Sequence, residues 1–380
     1  MEQIVLKTIF NTCKETSLIG RYITVEHIKP LLIKHSNNFK IEVIGQSVLK
    51  EDIHSIKVGS GNKKILMWSQ MHGNESTTTK AVFDLLNFLA DTNNAKSILK
   101  DCTILIIPIL NPDGAKAYTR LNANGVDLNR DAQNLSQPES NVLRSLYNSF
   151  KPHYCFNLHG QRTIFSAGEV NKSASLSFLS PAQNEKCSVT DNRKVAMSII
   201  SKINTMLQTE IPNQVGVYDD VFNINCVGDT FQTLNTPTVL FEAGHYADDY
   251  QREEVRRLVF QSYLTALNAI SEDKIDLNDF EDYLKIPQNG KLFFDVIIKN
   301  ALYENKTVNI AVQYQEKLID SKVHFVPKIE KIINDDAFFA HNYLNASGDV
   351  VYGQNGESLT LGSENDFVII NNVKFSLKFD

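Results

Sequence analysis

The chain has 380 residues, 42% of them hydrophobic and 22% charged, with a formal net charge of −6. This is the make-up of an ordinary water-soluble globular protein, long enough for a large core and more readily divided into two domains than one. The acidic balance, without any basic block, excludes nucleic acid as an expected partner, and apolar stretches such as residues 104–107 are far too short to span a bilayer.

The opening forty residues read as mainly helical, with Leu31, Leu32 and Ile33 turned inward and Ser36-Asn37-Asn38 closing the segment. Residues 41–48 and 54–58 alternate as strands do, and residues 65–68 form a short apolar run typical of a buried strand. Past His72-Gly73-Asn74, Ser76-Thr77-Thr78-Thr79 opens a helix with a broad apolar face that includes Phe83, Leu86 and Leu89. Residues 102–110 predict a buried strand bounded by the turn Asn111-Pro112-Asp113-Gly114. A helix over 138–150, a strand over 154–158, a helix over 195–207, a strand over 238–241 and a helix over 253–270 follow. Strands alternating with helices predict an α/β fold with a mixed, mostly parallel sheet and helices on both faces. The chemistry-bearing residues follow strand ends, where open α/β sheets place their sites.

After residue 270 the character changes. Residues 273–278 are acidic and polar, Pro287-Gln288-Asn289-Gly290 is a turn cluster, and short strand-like runs follow at 293–298, 307–314, 323–326, 349–352, 359–361 and 367–379. The expected division is a catalytic domain over 1–270 and a small β-rich accessory domain over 271–380. The five cysteines are odd in number and scattered, and the first residues lack a basic start, an apolar region and a cleavage site. Free thiols in the cytoplasm, with no signal peptide, are therefore expected.

Two runs carry most of the chemistry: His72-Gly73-Asn74-Glu75, and Asn111-Pro112-Asp113-Gly114 leading to Asp127-Leu128-Asn129-Arg130. A later Leu158-His159-Gly160 adds a second imidazole. A hydrolytic zinc site needs three protein ligands and one open position for water, and His72, Glu75 and His159 fill that need. His-x-x-Glu arises by chance in many proteins, and a surface His beside a helix-start Glu explains it in isolation. The Gly73-Asn74 insert favours instead a tight turn at a strand end, with both side chains converging on one metal. His159 alone reads equally as a satisfied core or loop histidine; as the third of a set at strand termini it gains weight.

Arg120, Asn129 and Arg130 form an anion-handling group, since the guanidinium fork suits a carboxylate. A surface ion pair explains any single Arg, but two flanking Asn122-Ala123-Asn124-Gly125 are harder to explain as packing. Glu242 ends the apolar run Val239-Leu240-Phe241, where a carboxylate is costly unless paired or kept near a metal. Burial there raises its pKa and suits it to act as a general base. A loop position after Gly244 suffices to explain His245. Neither a Gly-x-Ser-x-Gly elbow nor a phosphate-cradling Gly-rich loop is present in the sequence.

Together these residues resemble the zinc metallocarboxypeptidases of the carboxypeptidase A/B type, over roughly residues 50–270. The segment 111–131 carries the most specific part, and Phe241-Glu242-Ala243-Gly244 joins it in order. The resemblance implies one zinc ion held by His72, Glu75 and His159, with Glu242 as general base. It implies Arg120 on the scissile carbonyl and Asn129 with Arg130 on the terminal carboxylate. Tyr218 is the nearest candidate for the tyrosine that closes over substrate, and Gly228 or Asp229 falls near the expected pocket floor, where Asp229 would favour basic side chains. The β-module is similar, in position and strand content, to the transthyretin-like domain of one branch. The expected partner is a peptide or an acylated amino acid with a free carboxylate, and neither nucleic acid nor membrane.

A rival reading is a deacylase resembling succinylglutamate desuccinylase and aspartoacylase, which share His-Gly-x-Glu and Asp-Leu-Asn-Arg elements. Asn-Pro-Asp-Gly and Asn-Ala-Asn-Gly-Val favour the peptidase. A peptidase acting on cell-wall peptides and a non-catalytic zinc-binding relative also stay open, although no expected ligand or base is lost.

Overall fold

The computed structural model describes residues 3–91, 94–334 and 337–378. It divides into two compact units, Met1–Gln161 with Ala174–Asn289 and Arg162–Ser173 with Gly290–Asp380. Among the described residues no helix is long and apolar enough to cross a membrane.

The first unit opens with helices α1 (Gln3–Cys13) and α2 (Val25–His35), then strands β1 (Lys40–Gln46), β2 (Asp52–Val58) and β3 (Lys63–Ser69). Helices α3 (Thr77–Ala90) and α4 (Lys96–Asp101) lead to β4 (Cys102–Ile107), α5 (Pro112–Ala117), α6 (Pro138–Phe150) and β5 (Tyr154–Gly160). Past the short strand β6 (Ser166–Ala167), which falls in the second unit, come β7 (Leu176–Leu179), α7 (Asp191–Leu207), β8 (Val215–Val217), α8 (Val227–Thr233), β9 (Thr238–Ala243) and α9 (Glu253–Ser271). The short α10 (Phe280–Tyr283) and β10 (Asn289–Gly290) follow.

Eight strands form one sheet in the order β1-β2-β4-β3-β5-β9-β7-β8. The central β4, β3, β5 and β9 are mutually parallel, and antiparallel pairing is confined to β1–β2, β2–β4 and β7–β9. Because strand side chains alternate, β3, β4 and β5 each feed two cores. Ile65 and Met67 of β3, Ile104 and Ile106 of β4 and Phe156 and Leu158 of β5 join the core that includes Phe83 of α3 and Leu264 of α9. Leu66, Trp68, Leu105, Ile107 and Cys155 face the other way, against Leu143 and Tyr147 of α6 and Phe231 of α8. A run such as Ile65-Leu66-Met67-Trp68 is apolar at every position because both of its faces are covered.

The predicted strands and helices of this unit are present, with bounds shifted by a few residues. Ile33 departs from expectation: it is 72% exposed, whereas Leu31 and Leu32 are buried. Three successive helical residues sweep about 200° around the axis, so they cannot all share one apolar stripe. Strands β7 and β8 were not anticipated, being only four and three residues long.

The second unit contains β11 (Phe293–Tyr303), β12 (Lys306–Ile319), β13 (Lys322–Ile333), β14 (Phe339–Asn345), β15 (Val351–Tyr352), β16 (Phe367–Ile370) and β17 (Val373–Ser376). One sheet runs β13-β12-β11-β14 and another β15-β16-β17. The expected runs at 293–298, 307–314 and 323–326 lie inside longer strands, whereas 359–361 forms no strand, and Phe379 lies outside the described residues. Strand β14 was unforeseen. It pairs parallel to β11 and buries one of its seven residues, so its alternation is faint in sequence.

Candidate metal centre and active site

Strand register assembles the site. Strands β3, β5 and β9 run parallel, and in the β5–β9 ladder His159 lies opposite Glu242. Just past the end of β3, Met71-His72-Gly73-Asn74 turns into α3, and Gln70, with φ of 44°, starts the turn. The Gln70 Nε2 donates to the Gly73 carbonyl at 2.8 Å, which closes the loop on itself. Gly73 is required here: a Cβ at that position would lie 1.9 Å from the Gly114 carbonyl carbon. The Asn-Pro-Asp-Gly run is thus the bed on which the His-Gly-Asn-Glu loop rests. Asn111 Oδ1 accepts the Gly114 N–H at 2.8 Å to cap α5, and Asn111 Nδ2 donates to the Met71 carbonyl at 3.2 Å.

His72, Glu75 and His159 converge. The two Nδ1 atoms are 3.1 Å apart, His72 Nδ1 is 2.9 Å from Glu75 Oε1, and His159 Nδ1 is 2.9 Å from Glu75 Oε2. Both imidazoles are 2% exposed, and Glu75 is held further by the Gly160 N–H at 2.9 Å. On the far side of the ring, His72 Nε2 lies 3.0 Å from Asp127 Oδ1. A carboxylate can only accept, so this contact puts a ring proton on Nε2 and leaves Nδ1 as the nitrogen that faces the cluster. Two imidazole nitrogens and a carboxylate facing one point need positive charge among them, either a proton on His72 Nδ1 or a metal ion. Two nitrogens and a carboxylate oxygen in this arrangement fit a divalent transition metal, and zinc in particular.

The electrostatics follow from that crowding. Burial works against a charged His72, yet the Glu75 charge and hydrogen bonds to Asp127 and Glu75 raise its pKa to about 9, so a metal ion would bind Nδ1 by displacing its proton. Burial outweighs Glu75 at His159 and lowers its pKa. Asp127 is lowered despite burial, by His72 and by Arg120, whose Nε and Nη2 reach its Oδ2 at 3.1 and 3.0 Å. Arg120 also sends Nη1 to within 3.6 Å of Glu75 Oε1, so its guanidinium borders the cluster.

Glu242 is pushed well above the usual carboxylate range, first by burial and then by the negative charge of Glu75. Its Oε2 is buried with no hydrogen-bond partner among the described residues. Asn129 and Arg130 close a 3-10 turn (Leu128–Arg130) capped by Asp127, whose carboxylate accepts the Asn129 N–H at 2.9 Å. Asn129 Oδ1 accepts the Val227 N–H at the start of α8, 3.0 Å away, while the Arg130 side chain is exposed. Tyr218 follows β8; burial and then the Glu242 charge raise its pKa, and its hydroxyl donates to Gln161 Oε1 at 2.8 Å. Asp229, in the first turn of α8, is buried and accepts the Asn223 N–H at 3.1 Å, and burial raises it to about 6. His245 packs against Tyr250, with ring centroids 4.6 Å apart.

The sequence reading gave no role to Asp127, Gln161 or Arg252. Asp127 stood inside a recognised motif but reaches His72 across 55 positions. Arg252 donates to the Ala243 and Gln161 carbonyls at 2.9 and 3.0 Å, fixing the ends of β9 and β5. No local pattern marks either of the last two residues.

The sequence profile of the family described as zinc carboxypeptidase matches residues 24–225, more than half of the chain. The chain belongs to the zinc carboxypeptidase family. It is 32% identical over 112 residues to carboxypeptidase 2 of Trichophyton rubrum, covering 29% of this chain but only 20% of that protein. It is 30% identical over 115 residues to gamma-D-glutamyl-L-diamino acid endopeptidase 1 of Lysinibacillus sphaericus, covering 26% of this chain and 29% of that one. The fold is shared with carboxypeptidase A of Helicoverpa armigera, at a TM-score of 0.55 and 14% identity over 71% of this chain and 80% of that one. A metallo-carboxypeptidase from Burkholderia cenocepacia gives 0.54 at 16% identity over 67% and 70%. The family is zinc-dependent, and the His-Glu-His cluster is present in this chain.

Proposed function

We propose that the protein is a metallocarboxypeptidase that holds one zinc ion through His72, Glu75 and His159 and hydrolyses the C-terminal bond of peptides. The observation that carries this reading is the convergence of both Nδ1 atoms and the Glu75 carboxylate beside Glu242, the register neighbour of His159. When bound, zinc supplies a Lewis acid that makes water nucleophilic near neutral pH. Glu242, with its raised pKa, takes the proton of the attacking water and passes it to the leaving amine. Arg120 offers its guanidinium to the oxygen on which charge develops. Asn129 and Arg130 bind the terminal carboxylate and so select the bond presented to Glu242. Tyr218 closes over the bound substrate. Asp127 orients His72 through Nε2.

The catalytic domain is assigned to the first unit and an accessory role to the β-rich second one. All five cysteines are free thiols, which supports a reducing compartment, the cytoplasm. The test is mass spectrometry of a mixed library of peptides, γ-D-glutamyl-diamino acid peptides and N-acyl amino acids, incubated with zinc-loaded protein with and without chelator. Chelator-sensitive loss of single C-terminal residues is expected. Cleavage confined to the γ-D-glutamyl set would shift the assignment toward the activity named for the Lysinibacillus relative, and deacylation alone would overturn the peptidase reading.

A further inference from the structure

We infer that Gln161 is a positioning residue for Tyr218, holding its ring where the phenol meets a bound substrate. The inference rests on the metallopeptidase reading above. Gln161 lies two residues past His159, and its backbone is fixed from both sides. Its N–H donates to the Ala243 carbonyl at 2.9 Å, and its own carbonyl accepts Arg252 Nη2 at 3.0 Å. Ala243 is the residue after Glu242, so the same clamp that sets Gln161 sets the general base.

The side chain is equally determined. Gln161 is 6% exposed, so both ends of its amide need partners. Nε2 donates to the Ala174 carbonyl at 2.8 Å. A carbonyl can only accept, which fixes the amide orientation and turns Oε1 toward Tyr218. The phenol must then be the donor in the 2.8 Å contact. Gly244 makes the arrangement possible: a Cβ there would lie 2.0 Å from the Ala174 oxygen and 2.5 Å from Gln161 Nε2.

The backbone that carries Tyr218 is tethered on either side of the ring. The Val217 N–H donates to the Pro287 carbonyl at 2.9 Å, and the Tyr218 N–H to the Phe178 carbonyl at 3.1 Å. Two residues on, Asp220 accepts Arg193 Nη2 at 2.7 Å. Those contacts fix where the side chain starts, and Gln161 fixes where its tip ends. A phenol docked in this way has little freedom left to lose when substrate arrives, which lowers the ordering cost of binding.

The test is a double-mutant cycle of Gln161→Leu and Tyr218→Phe, read on the peptide that the library experiment shows to be turned over fastest, with zinc content measured for each protein. Gln161→Leu should raise KM about tenfold, the scale of one buried hydrogen bond, with kcat changed less and zinc content unchanged. In the Tyr218→Phe background the same substitution should change KM by less than about twofold, because the two act as a unit. An equal penalty in both backgrounds, or a fall in zinc content, would make Gln161 merely structural and overturn the inference. Fluorine NMR of protein labelled with 3-fluorotyrosine gives an independent reading. The resonance that disappears in Tyr218→Phe should shift in Gln161→Leu, and an unmoved resonance would overturn the contact itself. Parental kinetics in Tyr218→Phe alone would remove Tyr218 from the proposed mechanism and the kinetic role of Gln161 with it, while the NMR shift still decides whether Gln161 holds the ring. Gln161→Met repeats the cycle if the leucine variant folds poorly.

Discussion

Two clusters of buried charge stand in the first unit, and they are built on opposite rules. Around Arg256 every charge is answered. Its Nε and Nη2 reach Asp84 Oδ2 and Oδ1 at 2.7 and 2.6 Å, Nη1 the Leu18 carbonyl at 2.9 Å and Nη2 the Glu15 carbonyl at 2.7 Å. Nearby, Lys80 Nζ donates to the Gln251 carbonyl and to Glu253 Oε1 at 3.1 and 2.6 Å. Around His72 the groups converge on one point instead: two imidazoles share the Glu75 carboxylate, and the Oε2 of Glu242 is buried without a hydrogen-bond partner among the described residues. The first cluster fastens α3 to α9. The second gathers His72, Glu75 and His159 on one point, beside a Glu242 that burial and the Glu75 charge hold above the usual carboxylate range. Where buried charge is paired it holds the fold, and where like groups are crowded it is poised for chemistry.

Substitutions that should separate the two rules can be ranked by effect. The largest is expected from Glu242→Gln, which should lower kcat by about 10³-fold or more, on the scale of losing a general base in a metal-assisted hydrolysis. Zinc content by atomic absorption and the thermal midpoint should stay at parental values; retained turnover would remove Glu242 from the mechanism. Asp84→Ala should behave in the opposite way. Leaving Arg256 buried and unpaired should cost about 3–5 kcal/mol of stability in urea unfolding, while kcat/KM per folded molecule stays unchanged. A stability loss below about 1 kcal/mol would show that the Arg256 cluster is not the fastening it resembles.

Arg130→Ala should raise KM for free-carboxylate peptides by about 10- to 100-fold, the scale of a charge-assisted hydrogen bond. The parent should discriminate strongly between a free acid and its C-terminal amide, and the variant should not. An unchanged acid-to-amide ratio would take Arg130 out of carboxylate binding. The smallest effect concerns acid. Burial works against ionised Glu15 and Glu253, but hydrogen bonds to Lys34 and Ser17 hold Glu15 at about 2, and the Lys80 charge with bonds to Lys14 and Lys80 holds Glu253 at about 2. A carboxylate whose folded pKa is depressed contributes stability above its unfolded value and loses it as pH falls through the folded one. Stability should therefore decline from about pH 4.5 toward pH 2, and replacing Glu253 with Gln should flatten that decline in urea titrations at stepped pH.

Much of this was legible in the chain. Residues 65–68 and 104–107 are apolar at every position, which short buried strands require, and His72, Glu75, His159 and Glu242 fall at or just past strand ends. Ile33 was misread because a helix turns about 100° per residue, so a triplet of apolar residues cannot stay on one stripe. Strand β14 was missed because an edge strand with one buried residue leaves almost no alternation to read.

By itself the sequence determined the parallel core, the family and the types of group at the site, because periodicity and short motifs are local properties that neighbouring residues carry together. Only the tertiary structure decided how those groups meet. The pairing of β5 with β9 sets Glu242 beside His159, Asp127 reaches the second nitrogen of His72, and Gln161 meets Tyr218 across 57 positions. Such contacts are fixed by strand register and backbone clearance at Gly73 and Gly244, quantities that exist only once distant segments have packed.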